Sequence, residues 1–228
     1  MRQQENQQPN KRRTVDLSAA AENLPWPVIE VRAYDEALTR IGATATDPRP
    51  AYAGLQSTMR EVCALGAFAV GHVYLSIPRR GHLVPAHLWR FSYSARFGPF
   101  VRVTMATILA PGVGLPGQAA ATGSPACIAS IDNDGTLLRA QVARAVGLRS
   151  AYAFQVIDEG VVVAVLEFLA VEPRRPDPGV AALLGGLVDV VTGMLTGRDF
   201  EELLRHEVAL AEAADLIGHG SVGSGALP

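Results

Sequence analysis

The chain has 228 residues, of which 49% are hydrophobic and 18% charged, and its formal net charge at pH 7 is -2. It can therefore bury a sizeable core, and its charge argues against a general nucleic-acid binder or a membrane-surface binder. No apolar run is long and continuous enough to span a bilayer, and the N-terminal sequence lacks the apolar core of a signal peptide, so the expected compartment is the cytoplasm.

The first predicted elements are a polar tail and two helices. Residues 1–14 carry no core-forming side chain apart from Met1, and we expect a disordered tail over 1–24. A short helix is expected over 34–41. A stronger helix is expected over 51–65, since its apolar side chains recur at helical spacing. These side chains are Tyr52, Leu55, Met59, Val62 and Cys63.

Two β-hairpins are expected, one on each side of the middle of the chain. The first has strands over 68–77 and 82–91, separated by a turn. The second has strands over 150–157 and 161–171, joined by the tight turn Asp158-Glu159-Gly160. Because the two hairpins can pair side by side, they predict an antiparallel sheet.

The stretch between the hairpins is apolar and irregular. A helix is expected over 97–109, and residues 103–131 carry no charge. Glycine and proline divide 110–131 into a tight entry, a helical turn that ends at Gly123, and a short buried strand over 126–131. This stretch is expected to form a fixed wall beside the sheet.

Two further helices complete the core. An amphipathic helix is expected over 137–146. The last core helix is expected over 178–195, with Asp177 as its cap and Pro178 in its first turn. This order of helices and hairpins predicts an α+β architecture, in which helices cover an antiparallel sheet.

The irregular stretch resembles the central motif of the GAF domain family of bacterial sensor proteins. The resemblance is carried by GVGLPG at 112–117 and TGSP at 122–125, and it extends over residues 50–195. It implies a GAF-like sensory domain over 25–198, with a central antiparallel sheet of about six strands and helices on both faces. It also implies that the terminal helices cover one face and that a ligand cavity lies on the other, under the irregular stretch.

The implied cavity selects a set of candidate ligand-binding residues. The position of the cavity in the family and alternation along the strands pick out Tyr74, His87, Trp89, Phe100, Cys127, Tyr152, Phe154 and Glu167. All except Phe100, which belongs to the stretch itself, are expected to face residues 97–131. The expected ligand is an unknown small molecule.

Several of these side chains have an ordinary structural interpretation. Glu167 lies in an apolar strand, where an ionised carboxylate needs a partner, and either Arg149 or a bound ligand would provide one. Cys127 is interpreted as a small buried residue, because the histidine that accompanies the cysteine of bilin-binding GAF proteins is missing. The histidines of the first hairpin, His72 among them, are interpreted as internally paired rather than as heme ligands. No cofactor and no metal ion are therefore expected.

The sequence contains no recognisable catalytic arrangement of nucleophile, base and acid, and the expectation is a protein without enzymatic activity. Methionine sulfoxide reductases that use the GAF fold need a reactive cysteine in flexible loops. Neither Cys63 nor Cys127 resembles such a cysteine. An enzyme of that kind is the least favoured of three hypotheses.

The leading hypothesis is a cytoplasmic sensory module in signal transduction, which binds a small ligand or a protein partner and relays a conformational change through its terminal helices. The alternative is a ligand-free GAF-like dimerisation or scaffold module, such as a remnant of a sensor histidine kinase. An open polar cavity would favour the first function and a packed one the second.

The C-terminal segment is the candidate for output. A linker or signalling helix is expected over 199–218, followed by a disordered tail over 219–228. Leu203, Leu210 and Ile217 recur every seven residues, the repeat by which two helices pair, although a solvated helix fits equally well. The prediction is a homodimer through this helix and the last core helix, which acts on a signalling protein in trans, a kinase or a regulator.

Overall fold

The computed structural model describes residues 26–77, 81–92, 94–175, 177–195 and 197–220, with backbone only at Ser94 and over 211–220. The tail predicted over 1–24 lies outside the described residues, as does the predicted tail beyond Gly220. The other predicted elements can be compared with the structure.

The described residues form seven α-helices and five strands. The helices are α1 (Val31–Gly42), α2 (Pro50–Leu65), α3 (Gly98–Met105), α4 (Gly114–Thr122), α5 (Ala140–Ala145), α6 (Pro178–Met194) and α7 (Gly197–Gly220). The strands are β1 (Val70–Ser76), β2 (Leu83–Phe91), β3 (Ala126–Ile128), β4 (Ser150–Asp158) and β5 (Val161–Ala170). Two short 3₁₀ helices, Ala43–Thr46 and Ser94–Phe97, precede α2 and α3.

The five strands form one sheet in the order β2-β1-β5-β4-β3, and all neighbouring strands are antiparallel. The α+β prediction and both hairpins are thus confirmed, with five strands in the described residues instead of about six. The turn between β4 and β5 is tight, as predicted, with positive φ at Glu159 (46°) and Gly160 (80°). Two successive positive φ values are those of the turn that matches the twist of a hairpin.

The sheet is covered on both faces, each with its own apolar core. We call the face under α1, α2, α6 and α7 the terminal-helix face; its core contains Leu166 and Phe168 of β5. We call the opposite face, under residues 94–148, the middle-segment face; its core contains Val165 and Leu169 of the same strand. The alternation along β5 shows how one strand contributes to both cores.

The middle segment is fixed by close backbone contacts. The N–H of Gly112 donates to the carbonyl of Gly117 at 2.7 Å, and a Cβ at Gly117 would lie 2.5 Å from the carbonyl oxygen of Ala110. The helical turn ends at Gly123, where φ is 61°. The predicted irregular wall therefore exists, and its entry requires glycine because two backbone segments meet there.

Two predicted helices are shorter than expected. The helix predicted over 97–109 ends at Met105, because Leu109 pairs with Leu83 as an isolated antiparallel bridge at the end of β2. The helix predicted over 137–146 is reduced to α5. Hydrogen bonds to Leu83 replace those of a helix at Leu109, whereas a turn in which the N–H of Ala140 donates to Leu137 precedes α5.

The C-terminal helices meet at a sharp bend. The side chain of Asp177 accepts hydrogen bonds from the N–H groups of Gly179 and Val180, which confirms the predicted cap of α6. Beyond the bend, α7 packs Phe200 and Leu203 into the core of the terminal-helix face. Among the described residues, no single helix is long and apolar enough to cross a membrane, and only α6 together with Gly197–Leu210, bent by 97°, has the required length and composition.

Candidate functional site

The middle-segment face carries a buried polar cluster, formed by His72, Tyr74, Thr104, Arg139 and Glu167. The register of β1 and β5 makes His72 and Glu167 direct partners across the sheet. Tyr74 is two residues along from His72 and lies on the same face. Thr104 comes from α3, and Arg139 stands at the start of α5. All five side chains are at most 3% exposed.

Arg139 is the centre of this cluster. Its Nη2 donates to Oε1 of Glu167 at 2.6 Å, and its Nη1 donates to the hydroxyl of Thr104 at 2.7 Å. Its guanidinium also lies over two rings, 5.6 Å from the centroid of Tyr74 and 5.0 Å from that of Phe100. A planar cation suits this position, because it can bind a carboxylate and stack on aromatic faces at once.

Three polar atoms of the cluster have no hydrogen-bond partner among the described residues. They are Nδ1 of His72, the hydroxyl oxygen of Tyr74 and Oε2 of Glu167. Buried polar atoms in folded proteins are usually paired, and each exception needs an explanation such as a bound molecule or ordered water. The unpaired atoms therefore mark this cluster as the candidate functional site.

Burial sets the protonation of the cluster. It lowers the pKa of His72 well below the usual 6.5, and the nearby charge of Arg139 acts in the same direction, so the ring is neutral. It also raises the pKa of Tyr74, and the phenol keeps its proton. For Arg139, burial alone would lower the pKa, but the carboxylate of Glu167 outweighs it and the pKa is raised.

A row of aromatic rings borders the cluster along the edge of the sheet. The rings of His72 and Trp89 are stacked with centroids 3.8 Å apart, and Trp89 stacks on Phe91 at 5.4 Å. Phe91 in turn stacks on Phe97 of the middle segment at 6.4 Å. Three predicted site residues, Tyr74, Trp89 and Glu167, thus face the middle segment as expected.

The other four predicted residues do not face the middle segment, and that part of the prediction is wrong. Tyr152 and Phe154 belong to the core of the terminal-helix face. The register explains the error. Glu167 pairs with Ala153, so these two residues share a face, and Tyr152 and Phe154 on either side of Ala153 point to the opposite face. Cys127 pairs with Tyr152 and shares its face; it is exposed rather than buried, because β3 is the outermost strand.

His87 departs from the alternation that the prediction assumed. The pairing of β1 with β2 is irregular between His72 and Tyr74, so that the residues between Pro85 and Trp89 no longer alternate regularly. The imidazole of His87 instead contacts Glu207 of α7, with Nδ1 2.9 Å from the carboxylate. This histidine links the sheet to the C-terminal helix.

Sequence reasoning missed the partner of Glu167. Arg149, the predicted partner, instead lies 3.5 Å from Asp132 near the surface. The apolar strand around Glu167 did indicate that its carboxylate needs a partner, and Arg139 is that partner. Thr104 was also missed, since an isolated threonine in a helix carries no signal of a buried hydrogen bond.

Other features of the surface lie away from this cluster. A groove of about 780 Å³ runs between the β4–β5 turn, α4 and the start of α7. A smaller cavity of about 380 Å³ is bounded by Phe154 and α6. Of the predicted site residues, Phe154 alone borders either cavity.

The sequence model of the GAF domain family matches residues 54–195. No curated protein matches the chain in sequence. Among solved structures, the GAF domain from an Acinetobacter phosphoenolpyruvate-protein phosphotransferase is 14% identical, with 71% of this chain and 91% of that chain covered and a TM-score of 0.54.

Enzymes also share the fold. The free methionine-R-sulfoxide reductase from Neisseria meningitidis, solved in complex with its substrate, is 20% identical with a TM-score of 0.57, covering 81% of this chain and 99% of that one. The fRMsr of Staphylococcus aureus, also in complex with substrate, is 13% identical with a TM-score of 0.57, covering 76% of this chain and 100% of that one. These likenesses show the fold alone.

The expectation of a protein without enzymatic activity is contradicted by these structures, because they show that a protein of this fold can be an enzyme. That expectation relied on the absence of a recognisable motif in the sequence. Catalytic groups are brought together by the fold rather than by sequence spacing, so the absence of a motif carried no weight.

Proposed function

The chain belongs to the GAF domain family, and we propose that it is a cytoplasmic sensory module that binds a small ligand at the buried polar cluster. The family is one of signalling and ligand-binding modules. The observation that carries the proposal is the group of three buried polar atoms without partners, on His72, Tyr74 and Glu167. Each such atom costs about 1–3 kcal/mol if it stays unpaired, and a ligand that pairs with it recovers that free energy.

The chemistry of the cluster defines the ligand. The carboxylate of Glu167 is paired with Arg139 and offers Oε2 as an acceptor, and the hydroxyl of Tyr74 can accept or donate. The neutral His72 offers Nδ1 as an acceptor, because its Nε2 lies 3.0 Å from the carbonyl oxygen of Ala86 and must carry the proton. Two acceptors and one adaptable hydroxyl fit a small molecule with at least two N–H or O–H donors.

Access to the site requires movement. Arg139 is 3% exposed and Glu167 is 0% exposed, so a ligand reaches them only when the middle segment opens. The same close packing favours the alternative function, a GAF-like scaffold in which the site is filled by the protein itself or by water. The two functions differ in one observable, the binding of a small donor molecule.

The first experiment is native mass spectrometry of freshly purified protein, which reveals a retained ligand. It is followed by calorimetric titration with small donor compounds: amino acids, primary amides, nucleobases and guanidinium. Binding is expected to weaken about tenfold in Glu167→Gln and Tyr74→Phe, since each removes one hydrogen bond. Glu61→Gln is the matched control, because Glu61 is a buried carboxylate on the terminal-helix face, paired with Arg40 and Arg60.

The alternative function makes the opposite prediction. If the protein retains no ligand and no donor compound binds, the scaffold function replaces the sensory one. If Glu61→Gln and Glu167→Gln lose the same amount of binding affinity, the ligand binds at another site.

The homodimer through α6 and α7, with a signalling partner in trans, remains part of the proposal. Apolar side chains exposed on these helices, among them Leu183 and Leu210, support it.

A further inference from the structure

One peptide group of β2 is hydrogen-bonded on both of its sides. Nε2 of His72 lies 3.0 Å from the carbonyl oxygen of Ala86. The next backbone N–H, that of His87, donates to Oε2 of Glu207 at 2.7 Å. The carbonyl and the N–H belong to one planar peptide unit and point in opposite directions. A rotation of this unit therefore changes both hydrogen bonds together.

The groups that hold this peptide are buried. His72 and Ala86 are 0% exposed, and the side chain of Glu207 is 3% exposed. The same carboxylate oxygen lies 2.9 Å from Nδ1 of His87. The peptide lies where the pairing of β1 and β2 is irregular, so the regular ladder does not fix its orientation. Its orientation depends on the two side chains, one from the polar cluster and one from α7.

We propose that this peptide couples the polar cluster to α7, so that a ligand donating to Nδ1 of His72 strengthens the docking of α7 through Glu207. The coupling rests on the proposed function, since it is the regulation carried by the same site. A donor at Nδ1 draws electron density from the ring and makes Nε2–H a stronger donor to Ala86. The polarised peptide makes the N–H of His87 a stronger donor to Glu207, because hydrogen bonds in a chain reinforce one another.

The coupling gives the site a direct route to the C-terminal helix. An occupied site holds α7 against the sheet, and an empty site releases it more readily. The route is short, since a single peptide group separates the two side chains. It uses no displacement of the whole sheet, only the strength of two hydrogen bonds on the peptide of Ala86 and His87.

The test is hydrogen–deuterium exchange of the full chain, read at the amide of His87 and over residues 200–207 of α7. His72→Phe removes the ring donor but keeps an aromatic ring beside Trp89, and Glu207→Ala removes the carboxylate. Glu207→Ala is expected to exchange about tenfold faster over α7, since it loses the buried hydrogen bonds to His87 that hold the helix. His72→Phe removes only the reinforcement of the bond between His87 and Glu207, and it is expected to exchange about twofold faster over α7. The double variant is expected to exchange no faster than Glu207→Ala alone.

Two further variants separate the coupling from a general loss of stability. His72→Gln places a side-chain N–H close to the position of Nε2, and it is expected to restore most of the protection. Val70→Ala shortens a buried side chain of β1 on the same face as His72. It is expected to leave the exchange of α7 unchanged relative to that of α1.

Several results would overturn the coupling. One is that the exchange rate of α7, divided by that of α1, is the same in His72→Phe as in Val70→Ala. Another is that the effects of His72→Phe and Glu207→Ala on the exchange of α7 add in the double variant. If His72→Phe does not fold, the coupling is measured as the effect of Glu207→Ala on His72. This variant must shift the NMR resonance of the Nε2 proton of His72, and an unshifted resonance rejects the coupling. No ligand is added, so failure of every compound to bind would reject the proposed function and leave this result unchanged.

Discussion

Removal of Arg139 should be the most damaging single change to the polar cluster. Arg139→Met keeps a long side chain against the rings of Tyr74 and Phe100 but removes the cation. Glu167, which is 0% exposed, is then left without its partner at 2.6 Å. Breaking a buried ion pair from one side costs about 3–5 kcal/mol, because the remaining charge stays out of water.

A second contribution comes from Thr104. Its hydroxyl accepts from Arg139 at 2.7 Å, and it loses that partner in the same variant, at a cost of about 1 kcal/mol. The expected loss is thus about 4–6 kcal/mol, compared with a total stability of about 5–15 kcal/mol for a typical domain. The assay is urea unfolding at neutral pH followed by circular dichroism, with the m-value used to check that the unfolding transition is unchanged.

A double variant tests the reasoning. Arg139→Met combined with Glu167→Leu removes both charges, and it is expected to recover most of the loss, because apolar residues often replace a buried ion pair without cost. Arg32→Met is the surface control, because the ion pair of Arg32 with Glu36 is exposed. This variant is expected to lower the free energy of unfolding by less than about 1 kcal/mol. A loss below about 1 kcal/mol in Arg139→Met, or a double variant as unstable as the sum of the two single ones, would refute this account.

Three further predictions concern pH, backbone packing and assembly. Burial lowers the pKa of His72 below 6.5, so below that pH the unfolded chain binds a proton there that the folded chain does not. The free energy of unfolding should therefore fall as the pH drops below 6.5, by up to about 1.4 kcal/mol per pH unit. Urea unfolding at several pH values measures this slope, and His72→Gln should lose the part that His72 contributes. Gly117→Ala should destabilise the domain by about 1–3 kcal/mol, since its Cβ would lie 2.5 Å from a carbonyl oxygen, whereas Gly42→Ala, with nothing within 4 Å, should not; equal thermal melting of the two variants would contradict this. Sedimentation equilibrium should show a dimer for the full chain at tens of micromolar and a monomer after truncation at Gly197, and an unchanged dimer would exclude α7 from the interface.

The parts of the fold that could be predicted from the sequence are those encoded by local patterns. The hairpins, the cap at Asp177 and the exit of α4 at Gly123 each depend on a few adjacent residues, and all are confirmed. Turn residues and caps act over one or two positions, so their effect is visible without knowledge of the rest of the chain. The α+β architecture followed from the order of these elements, and its GAF-like form followed from the resemblance carried by residues 112–117 and 122–125.

The composition of the site could be predicted only in part, because it depends on register. The placement of Tyr152 and Phe154 was wrong since the sequence does not say which residue of β4 lies opposite Glu167. A shift of one position moves every side chain to the other face. The irregular pairing next to His72 had the same effect on His87. Pro85, next to Ala86, is typical of an edge strand or a bulge, but a proline alone does not tell which side chains change face.

The choice of Arg139 over Arg149 illustrates a different limit. The sequence indicated that Glu167 needs a partner, since an ionised carboxylate in an apolar strand is costly. Arg149 was the candidate chosen, although several other arginines lie within about the same distance along the chain. Arg139 is selected because α5 starts where its side chain reaches under the middle segment, while Arg149 lies in the connection before β4 and remains 34% exposed. The selection is made by the path of the backbone, which charge and hydropathy do not encode.

The C-terminal helix uses one set of side chains for two possible partners. Phe200, Leu203 and Glu207 follow the spacing of one helical face, and all three are buried against the domain. Leu203 is also the first position of the seven-residue repeat that predicts pairing between two chains, and Leu210, the next position, is 39% exposed. A helix cannot present Leu203 to the sheet and to a second chain at once.

Glu207 lies one turn from each leucine, so its bond to the peptide of β2 stands at the boundary between the docked and the exposed part of α7. A dimer that uses the whole repeat therefore requires this bond to break, which makes Glu207 the residue at which occupancy of the site and assembly would oppose each other.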